Sequence, residues 1–376
     1  MAGLYIHIPF CTQKCIYCDF MSGTNLSLRG QFVDALIAEM DCYLDFFDND
    51  PLRTIYFGGG TPSLLSVKEL GRIYRAIAER WDVSGVEEFT MECNPDDLTE
   101  IYLLDLRNLP INRLSIGVQS FVDEELRWLN RRHTAVEAME AVKRAKRAGF
   151  ENITIDLMFA LPVQTLESLR YSIDRALELG VQHISAYSLM FEPDSKITKL
   201  MELNRLVPLD EDVAADMFDL LSKRLIEAEY EQYEISNYAK EGFESRHNSG
   251  YWHGMRYLGL GPSAHSFDGE KRWANVGHTI KYIDLVRNKE CGVRNEELLN
   301  MDERFNELVF TALRTKVGVD LVELRSRFGD GRCDGLLRQA QKYVDSGRMR
   351  VVDGRLCLTR EGIYISDSII SDFMIV

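Results

Sequence analysis

Short apolar segments of strand length alternate with amphipathic segments over the first 190 residues of the chain. β-branched and aromatic residues cluster in six such segments, which begin at Gly3, Thr54, Glu88, Arg113, Asn152 and His183. Between them, apolar residues recur at three- and four-residue intervals, as in the helix predicted over 28–47. Six strand-helix units without hairpin signals predict a parallel sheet. We therefore expect an α/β fold, a partial, TIM-like (β/α)6 barrel.

Polar or glycine-rich residues follow the predicted strands at equivalent places. Gly58-Gly59-Gly60-Thr61 follows the second strand, and Glu92, Gln119 and Asp156 stand at the ends of strands three, four and five. Loops are often polar for reasons unrelated to function. Right-handed crossovers, however, bring all six strand ends to one rim, so the recurrence predicts a common site there.

The chain changes character after an amphipathic helix predicted over 210–229. Residues 231–295 are rich in aromatic residues, His and Gly, and helices follow from about Asn300. Two short strands over 349–352 and 355–358 flank Asp353-Gly354, a favoured two-residue hairpin turn. These patterns predict a barrel over 1–230, a connecting region over 231–295 and a small α+β, winged-helix-like domain over 296–376.

Charge and hydropathy exclude several classes of protein. The 376 residues carry a formal net charge of −15, and residues 296–376 hold 12 Lys and Arg against 14 Asp and Glu. Nucleic-acid binding needs a basic face, so we expect no nucleic-acid partner, either for the whole chain or for the C-terminal domain. No stretch approaches the ~20 apolar residues of a membrane span, and no export signal precedes the first strand. We expect a cytoplasmic protein.

Three cysteines, Cys11, Cys15 and Cys18, follow the first strand at the spacing Cys-x3-Cys-x2-Cys. Three thiolates on one tight loop can hold three irons of a four-iron cluster and leave the fourth open. A structural zinc would need a distant fourth ligand, and paired disulfides suit three crowded cysteines poorly. The other five cysteines are isolated along the sequence and are expected to be free thiols, chiefly packed in the core: Cys42, Cys93, Cys291, Cys333 and Cys357.

The cysteine loop, with Tyr17 just before Cys18, resembles the signature of the radical S-adenosylmethionine (SAM) superfamily. The preceding Tyr5-Ile6-His7-Ile8-Pro9-Phe10 is similar to the HemN/HemW group, which contains coproporphyrinogen dehydrogenases and haem chaperones. The resemblance implies a [4Fe-4S] cluster, SAM at the open iron and the radical SAM type of barrel. It also implies a set of SAM-binding positions: Tyr5, Tyr17, Gly59, Gly60, Thr61, Glu92, Gln119, Arg131 and Asp156. Taken singly, several of these have ordinary structural explanations, such as a helix cap at Asp156.

Two features distinguish the two branches of this group. The coproporphyrinogen dehydrogenases carry a fourth cysteine two positions after the third and an extra N-terminal segment. This chain has Phe20 at that position, and we expect it to lack the segment. The segment beginning at His247 matches the His-Asn-x-x-Tyr-Trp motif that is linked to haem binding in the chaperones: His247, Asn248, Tyr251 and Trp252. From the residues alone, a packed aromatic cluster around a hydrogen-bonded His is the better interpretation.

The resemblance therefore implies a haem chaperone that binds the cluster, SAM and haem. It implies that the partners are haem-accepting apoproteins of the respiratory chain. It leaves open whether the protein contacts membrane-bound acceptors peripherally and whether it forms a homodimer. The alternative is an oxygen-independent coproporphyrinogen III oxidase, an enzyme that decarboxylates propionates in porphyrin biosynthesis. A further departure from the group is Ala160, where a Gly is usual before Leu-Pro.

Overall fold

Six parallel strands in chain order form the centre of the molecule. The structure, a computed structural model, describes residues 2–48, 50–193 and 195–375. The strands are β1 (Ala2–Ile8), β2 (Leu52–Gly59), β3 (Glu88–Cys93), β4 (Arg113–Gln119), β5 (Asn152–Phe159) and β6 (His183–Ser188). The helices between them are α1 (Arg29–Glu39), α2 (Val67–Arg80), α3 (Glu100–Leu106), α4 (Asp123–Trp128), α5 (Ala135–Arg147) and α6 (Leu166–Leu179). Each strand pairs in parallel with the next, which confirms the predicted α/β alternation.

Local sequence explains where several of these helices begin. Ser66 precedes α2 and Thr134 precedes α5. The side chain of each accepts a hydrogen bond from the backbone amide of a glutamate three residues later, and the carboxylate of that glutamate accepts one from the backbone amide of the Ser or Thr. These reciprocal capping boxes satisfy backbone donors that a helix start leaves open. The strands are buried on both faces, as parallel strands covered by helices must be.

Helix α1 is shorter than the helix predicted over 28–47. It ends at Glu39, and one turn of 3-10 helix follows over Met40–Cys42. The Trp81 indole nitrogen donates to the carbonyls of Tyr43 and Leu44 at 3.3 and 3.1 Å, so this segment turns toward α2. Leu44, which the periodic pattern placed on the apolar face, is 47% exposed.

The sheet extends beyond the six central strands at both edges. The later elements are α7 (Lys196–Glu202), α8 (Glu211–Glu227), β7 (Glu231–Gln232), β8 (Asn237–Ala239), α9 (Arg246–Trp252), β9 (Arg256–Leu260), β10 (His265–Phe267), β11 (Lys271–Asn275), α10 (Thr279–Arg287) and β12 (Val293–Leu298). Strand β9 pairs in parallel with β1, β10 to β12 continue antiparallel, and β8 and β7 lie beyond β6. Among the described residues the sheet runs from β12 to β7 without closing, so the barrel is partial, as predicted.

A second hydrophobic core lies in the C-terminal part of the chain. Its elements are α11 (Met301–Leu313), β13 (Val319–Asp320), α12 (Leu321–Asp345, broken at Gly329), β14 (Met349–Val352), β15 (Arg355–Leu358), α13 (Arg360–Ile363) and α14 (Ser366–Ser371). Asp353 and Gly354 both have positive φ, 49° and 74°, which is the tight hairpin turn expected from their types. A small winged-helix-like domain is thus present, and the exact domain boundaries stay predictions.

Two of the isolated cysteines are not free. Cys42, after α1, forms a disulfide with Cys291, after α10, and the two lie 249 residues apart in sequence. The expectation of free thiols was wrong for this pair because spacing along the chain does not show which segments pack together. Cys93, Cys333 and Cys357 are free and buried, as expected for packed thiols. Within 2–48, 50–193 and 195–375, no helix has the length and apolar character needed to cross a bilayer.

Candidate functional site

Two neighbouring cavities lie near the cysteine loop. The cysteine cavity, of about 470 Å³, is lined by the three cysteines and by residues at the ends of strands β2 to β6. The aromatic cavity, of about 700 Å³, lies between β1, the β9–β11 ribbon, the end of α9 and the C-terminal domain. Asp19 and Phe20 line both cavities, so the segment just after Cys18 separates them.

The cysteine loop is fixed by backbone and side-chain hydrogen bonds. The Cys11 amide donates to the Gly23 carbonyl at 3.0 Å, and the Asn130 side chain donates to the Lys14 carbonyl at 2.7 Å. Cys11 is buried and Cys15 is half-buried, as is Cys18, and all three thiols are free. The loop therefore presents three unpaired thiols to one cavity.

These thiols suit a cluster better than a single metal ion. In the described part of the chain, no three His, Cys, Asp or Glu side chains converge as ligands of one ion. A four-iron cluster does not need such convergence, because each thiolate binds a different iron. Burial, with the nearby Cys15 and Cys11 thiols, raises the pKa of Cys18 to about 11. Positive charge, such as that of bound iron, would favour the thiolate forms here.

Two glycines bring the β2 loop against the cysteine loop. Gly59 has φ of 106°, and a Cβ there would lie 2.6 Å from the His7 ring. A Cβ on Gly60 would lie 2.6 Å from the Phe10 carbonyl oxygen. The next residue, Thr61, places its hydroxyl 3.4 Å from the Cys11 sulfur. This close approach needs glycine and exposes main chain at the cavity wall.

Two carboxyl groups line the cysteine cavity. Glu92 lies near the end of β3, as predicted, whereas Asp156 lies within β5, which continues to Phe159. Glu92 accepts hydrogen bonds from the Tyr56 hydroxyl at 2.8 Å and the Gly59 amide at 3.0 Å, and burial raises its pKa to about 7. Burial also raises the pKa of Asp156 to about 6, and the Ser115 hydroxyl donates to it at 3.4 Å. Both groups face a cavity in which they can accept hydrogen bonds from a polar ligand.

Gln119 and Arg131 complete the polar wall. Gln119 adopts a left-handed backbone with φ of 70°, at a register shift where β4 meets β5. Non-glycine residues adopt this conformation rarely, and such residues are often found at functional sites. Arg131 donates to the Cys15 sulfur at 3.4 Å, to the Gly117 carbonyl at 2.7 Å and to the Asn94 side chain. A guanidinium thus lies beside one thiol of the cysteine loop.

The predicted SAM-binding residues are divided between the cavities. Gly59, Gly60, Thr61, Glu92, Gln119, Arg131, Asp156 and Tyr17 line the cysteine cavity. Tyr5 lines the aromatic cavity instead, where its hydroxyl is 3.1 Å from the Nδ1 atom of His7. Sequence reasoning did not single out Asn94, whose place just after β3 is the same strand-end signal that indicated Glu92.

The predicted haem motif lies on α9 and is also divided. His247 is completely buried, with Nδ1 at 2.8 Å from the Thr54 hydroxyl and Nε2 at 2.8 Å from the Tyr251 hydroxyl. Burial lowers its pKa to about 3, so the ring is neutral. Tyr251 and Trp252 line the aromatic cavity, whereas the residues that line it in the described chain include neither His247 nor Asn248. His247 therefore occupies the packed, hydrogen-bonded position that its residue type alone suggested.

Comparisons with known proteins agree with this architecture. Residues 5–176 match the family model of the radical SAM superfamily, and residues 299–365 match the HemN C-terminal domain. Coproporphyrinogen III oxidase (HemN) from Escherichia coli, described as a radical SAM enzyme, has a similar structure. The TM-score is 0.86 at 22% identity, over 99% of this chain and 90% of that one. At this identity the likeness shows the fold alone.

Relatives in two bacteria are similar over nearly their whole length. The protein named Heme chaperone HemW of Lactococcus lactis is 37% identical over 93% of this chain and 93% of its own. Its namesake in Bacillus subtilis is 37% identical over 100% of this chain and 99% of its own. Radical SAM membership implies a [4Fe-4S] cluster and SAM. The chain therefore belongs to the HemW family of the radical SAM superfamily.

Proposed function

We propose that the protein is a haem chaperone, which binds a [4Fe-4S] cluster, SAM and haem and delivers haem to apoproteins such as respiratory cytochromes. The observation that carries this proposal is the aromatic cavity of about 700 Å³ beside the cysteine cavity. Pockets of this size commonly hold large organic ligands. Relatives that align along nearly the whole chain are named heme chaperones, which supports the same function.

In this proposal the cysteine cavity holds the cluster and SAM. Cys11, Cys15 and Cys18 each bind one iron, and Arg131 offsets the negative charge of the thiolates. When bound, the cluster supplies an open iron position for SAM. The main chain at Gly59, Gly60 and Thr61, with Glu92, Gln119 and Asp156, offers hydrogen-bonding partners to the polar groups of SAM. Tyr17 lines the same cavity, and Tyr5 lines the neighbouring aromatic cavity.

The aromatic cavity would hold haem. Tyr251 and Trp252 offer apolar ring faces, which suit a flat porphyrin. His247 and Asn248 are not among the described residues that line the cavity, and we assign His247 the role of orienting the Tyr251 hydroxyl, 2.8 Å away. A direct bond from His247 to iron would require the hydrogen bond at one of its two ring nitrogens to break.

The competing function, coproporphyrinogen III oxidation, is less well supported. The position that carries a fourth cysteine in those enzymes is Phe20 here, and its side chain is 62% exposed between the two cavities. A phenyl group cannot ligate iron or transfer a proton. Haem delivery requires binding and release of haem, and neither step needs an iron ligand or a proton donor at position 20.

The partners and the cell compartment remain part of the proposal. We expect the protein in the cytoplasm, handing haem to apoproteins directly or through peripheral contact with membrane-bound acceptors. A homodimer stays a prediction from the family resemblance.

The test uses cluster-loaded protein prepared without oxygen. Haem is titrated by absorption, and the same sample is assayed for decarboxylation of coproporphyrinogen with SAM and a reductant. We expect stoichiometric haem binding, no decarboxylation, and transfer of the bound haem to an apocytochrome. Failure to bind haem would overturn the proposal, and turnover without stable haem binding would establish the oxidase function instead.

A further inference from the structure

One face of the β9–β11 ribbon presents chemically distinct side chains to the aromatic cavity. In the antiparallel register, His265 pairs with Ala274, and Phe267 pairs with both Arg272 and Tyr257. Side chains alternate between the two faces of a strand, so His265 and Phe267 share one face with their cross-strand neighbours Arg272 and Tyr257. All four line the cavity, while the intervening Ser266 is completely buried on the other side.

We propose that His265 is the side chain that ligates the iron of haem bound in the aromatic cavity. This inference rests on the proposed haem-binding function and adds the ligand to it. Histidine is a common axial ligand of haem iron. Phe267 and Tyr257 stand beside His265 on the same face and provide rings for contact with the porphyrin.

The imidazole of His265 is available, unlike those of two neighbouring histidines. His247 uses both ring nitrogens in hydrogen bonds, and His7 does the same with the Met21 carbonyl at 2.8 Å and the Tyr5 hydroxyl at 3.1 Å. Within the described chain, the ring of His265 has no hydrogen-bond partner and faces the cavity. Burial and the nearby Arg272 lower the pKa of His265, which favours the neutral form that binds metal.

His253 is the rival ligand. Its Nδ1 atom lies 2.7 Å from the Ser249 carbonyl oxygen, which leaves Nε2 free. His253 also lines the aromatic cavity, but it is the C-cap residue of α9 and does not belong to the ribbon face that carries Phe267 and Arg272. We favour His265 because β10 is paired with β9 on one side and β11 on the other. This pairing holds the imidazole beside the ribbon side chains that a haem would contact.

A guanidinium of α11 offers a counter-charge for the haem propionates. Arg304 of α11 lines the aromatic cavity, and its Nε atom donates to the Leu299 carbonyl at 3.0 Å. In the described part of the chain no carboxylate pairs with Arg304, in contrast to Arg272, which forms an ion pair with Glu307. An unpaired guanidinium matches a carboxylate well, so Arg304 is the expected propionate partner.

The test is a ferric haem titration of full-length, cluster-loaded protein, read by absorption and electron paramagnetic resonance. His265→Ala should shift the Soret band, remove the signal of an imidazole-ligated haem and weaken binding by about tenfold or more, equivalent to about 1.4 kcal/mol. Added imidazole should restore the wild-type spectrum. His278→Ala provides the matched control, because His278 caps α10 and is not among the cavity residues.

The outcomes separate this inference from the proposed function. An unchanged spectrum in His265→Ala, or loss of the signal in His253→Ala or in folded His247→Ala, would overturn the ligand assignment while haem binding stands. A wild-type protein that binds no haem would overturn the proposed function itself. Arg304→Ala should weaken binding without moving the Soret band, since it contacts the propionates and not the iron.

Discussion

At the scale of single residues, Glu39 links helix α1 to the ribbon that carries His265. This glutamate at the end of α1 is completely buried and accepts hydrogen bonds from the Tyr282 hydroxyl, the Gly261 amide and the Asn275 side chain, at 2.5, 2.8 and 2.6 Å. Burial outweighs these bonds and raises the pKa of Glu39 to about 7. The carboxyl group is therefore easier to bury protonated than ionised.

The pH dependence of stability should reflect this carboxyl group. Because its pKa is higher in the folded protein than in the unfolded chain, Glu39 favours folding at pH 4.5 and loses that contribution as pH rises through 7. The stabilisation from Glu39 decreases by on the order of 3 kcal/mol between pH 4.5 and pH 7. Melting temperatures of wild type and Glu39→Gln across this range provide the measurement. The melting temperature should change less with pH in the variant than in the wild type. An equal change in both proteins would show that Glu39 is not responsible for the pH dependence.

The residue scale also shows what a sequence can reveal about a site. The three cysteines, the paired glycines and the acid at the end of β3 could be predicted because their spacing or their place after a strand identifies them. Glu39 could not be, since its partners lie more than 220 residues away. His247 was recognised by its motif, but the Thr54 contact that occupies its ring depends on how α9 packs against β2.

At the scale of elements, the loop after β2 positions the cysteine loop. The Gly60 amide donates to the Ile8 carbonyl at 2.8 Å, and a Cβ at Gly60 would meet the backbone of Phe10. Backbone atoms of a buried strand cannot shift as a flexible side chain can. The position of this loop and that of Cys11 are therefore coupled.

Gly60→Ala should consequently lower cluster content. We expect the variant to lose about 1 to 3 kcal/mol of stability, as overpacking of a filled site usually does, and to bind clearly less iron per chain after reconstitution. Gly30→Ala is the control, because this glycine in α1 has no atom within 4 Å of its would-be Cβ. Iron and sulfide analysis of both variants tests this, and full iron content in Gly60→Ala would contradict the coupling.

The order of the central elements was predictable, and the extension of the sheet was not. Each of β1 to β6 is a segment of strand length that contains several apolar or aromatic residues, and a helix follows it. The period and length of these segments identify them in the sequence. Strands β10 and β11 are only three and five residues long and contain His265, Lys271 and Arg272, so their pairing depends on β9 docking against β1. The backbone at Ala160 could not be predicted from the sequence either. Its φ of 60° explains why glycine is usual at this position, but the sequence alone shows only that alanine replaces glycine.

At the scale of the whole molecule, the two cavities share a wall made of Asp19 and Phe20. The next residue, Met21, accepts a hydrogen bond from His7 at 2.8 Å, which ties this wall to β1 independently of the cysteines. Most of the aromatic cavity is formed by the ribbon, α9 and the C-terminal domain. Its shape should therefore depend only weakly on whether the cluster is present.

The triple variant Cys11→Ala, Cys15→Ala, Cys18→Ala tests this independence. It should contain no cluster and still bind haem, with an affinity reduced by less than about tenfold, or 1.4 kcal/mol, because only the shared wall loses support. Haem titration of the variant beside cluster-loaded wild type gives the measurement, and circular dichroism verifies that the variant is folded. A folded variant that no longer binds haem would mean that the cluster and the haem share a single site, because the ribbon, α9 and the C-terminal domain would then be insufficient to hold the porphyrin.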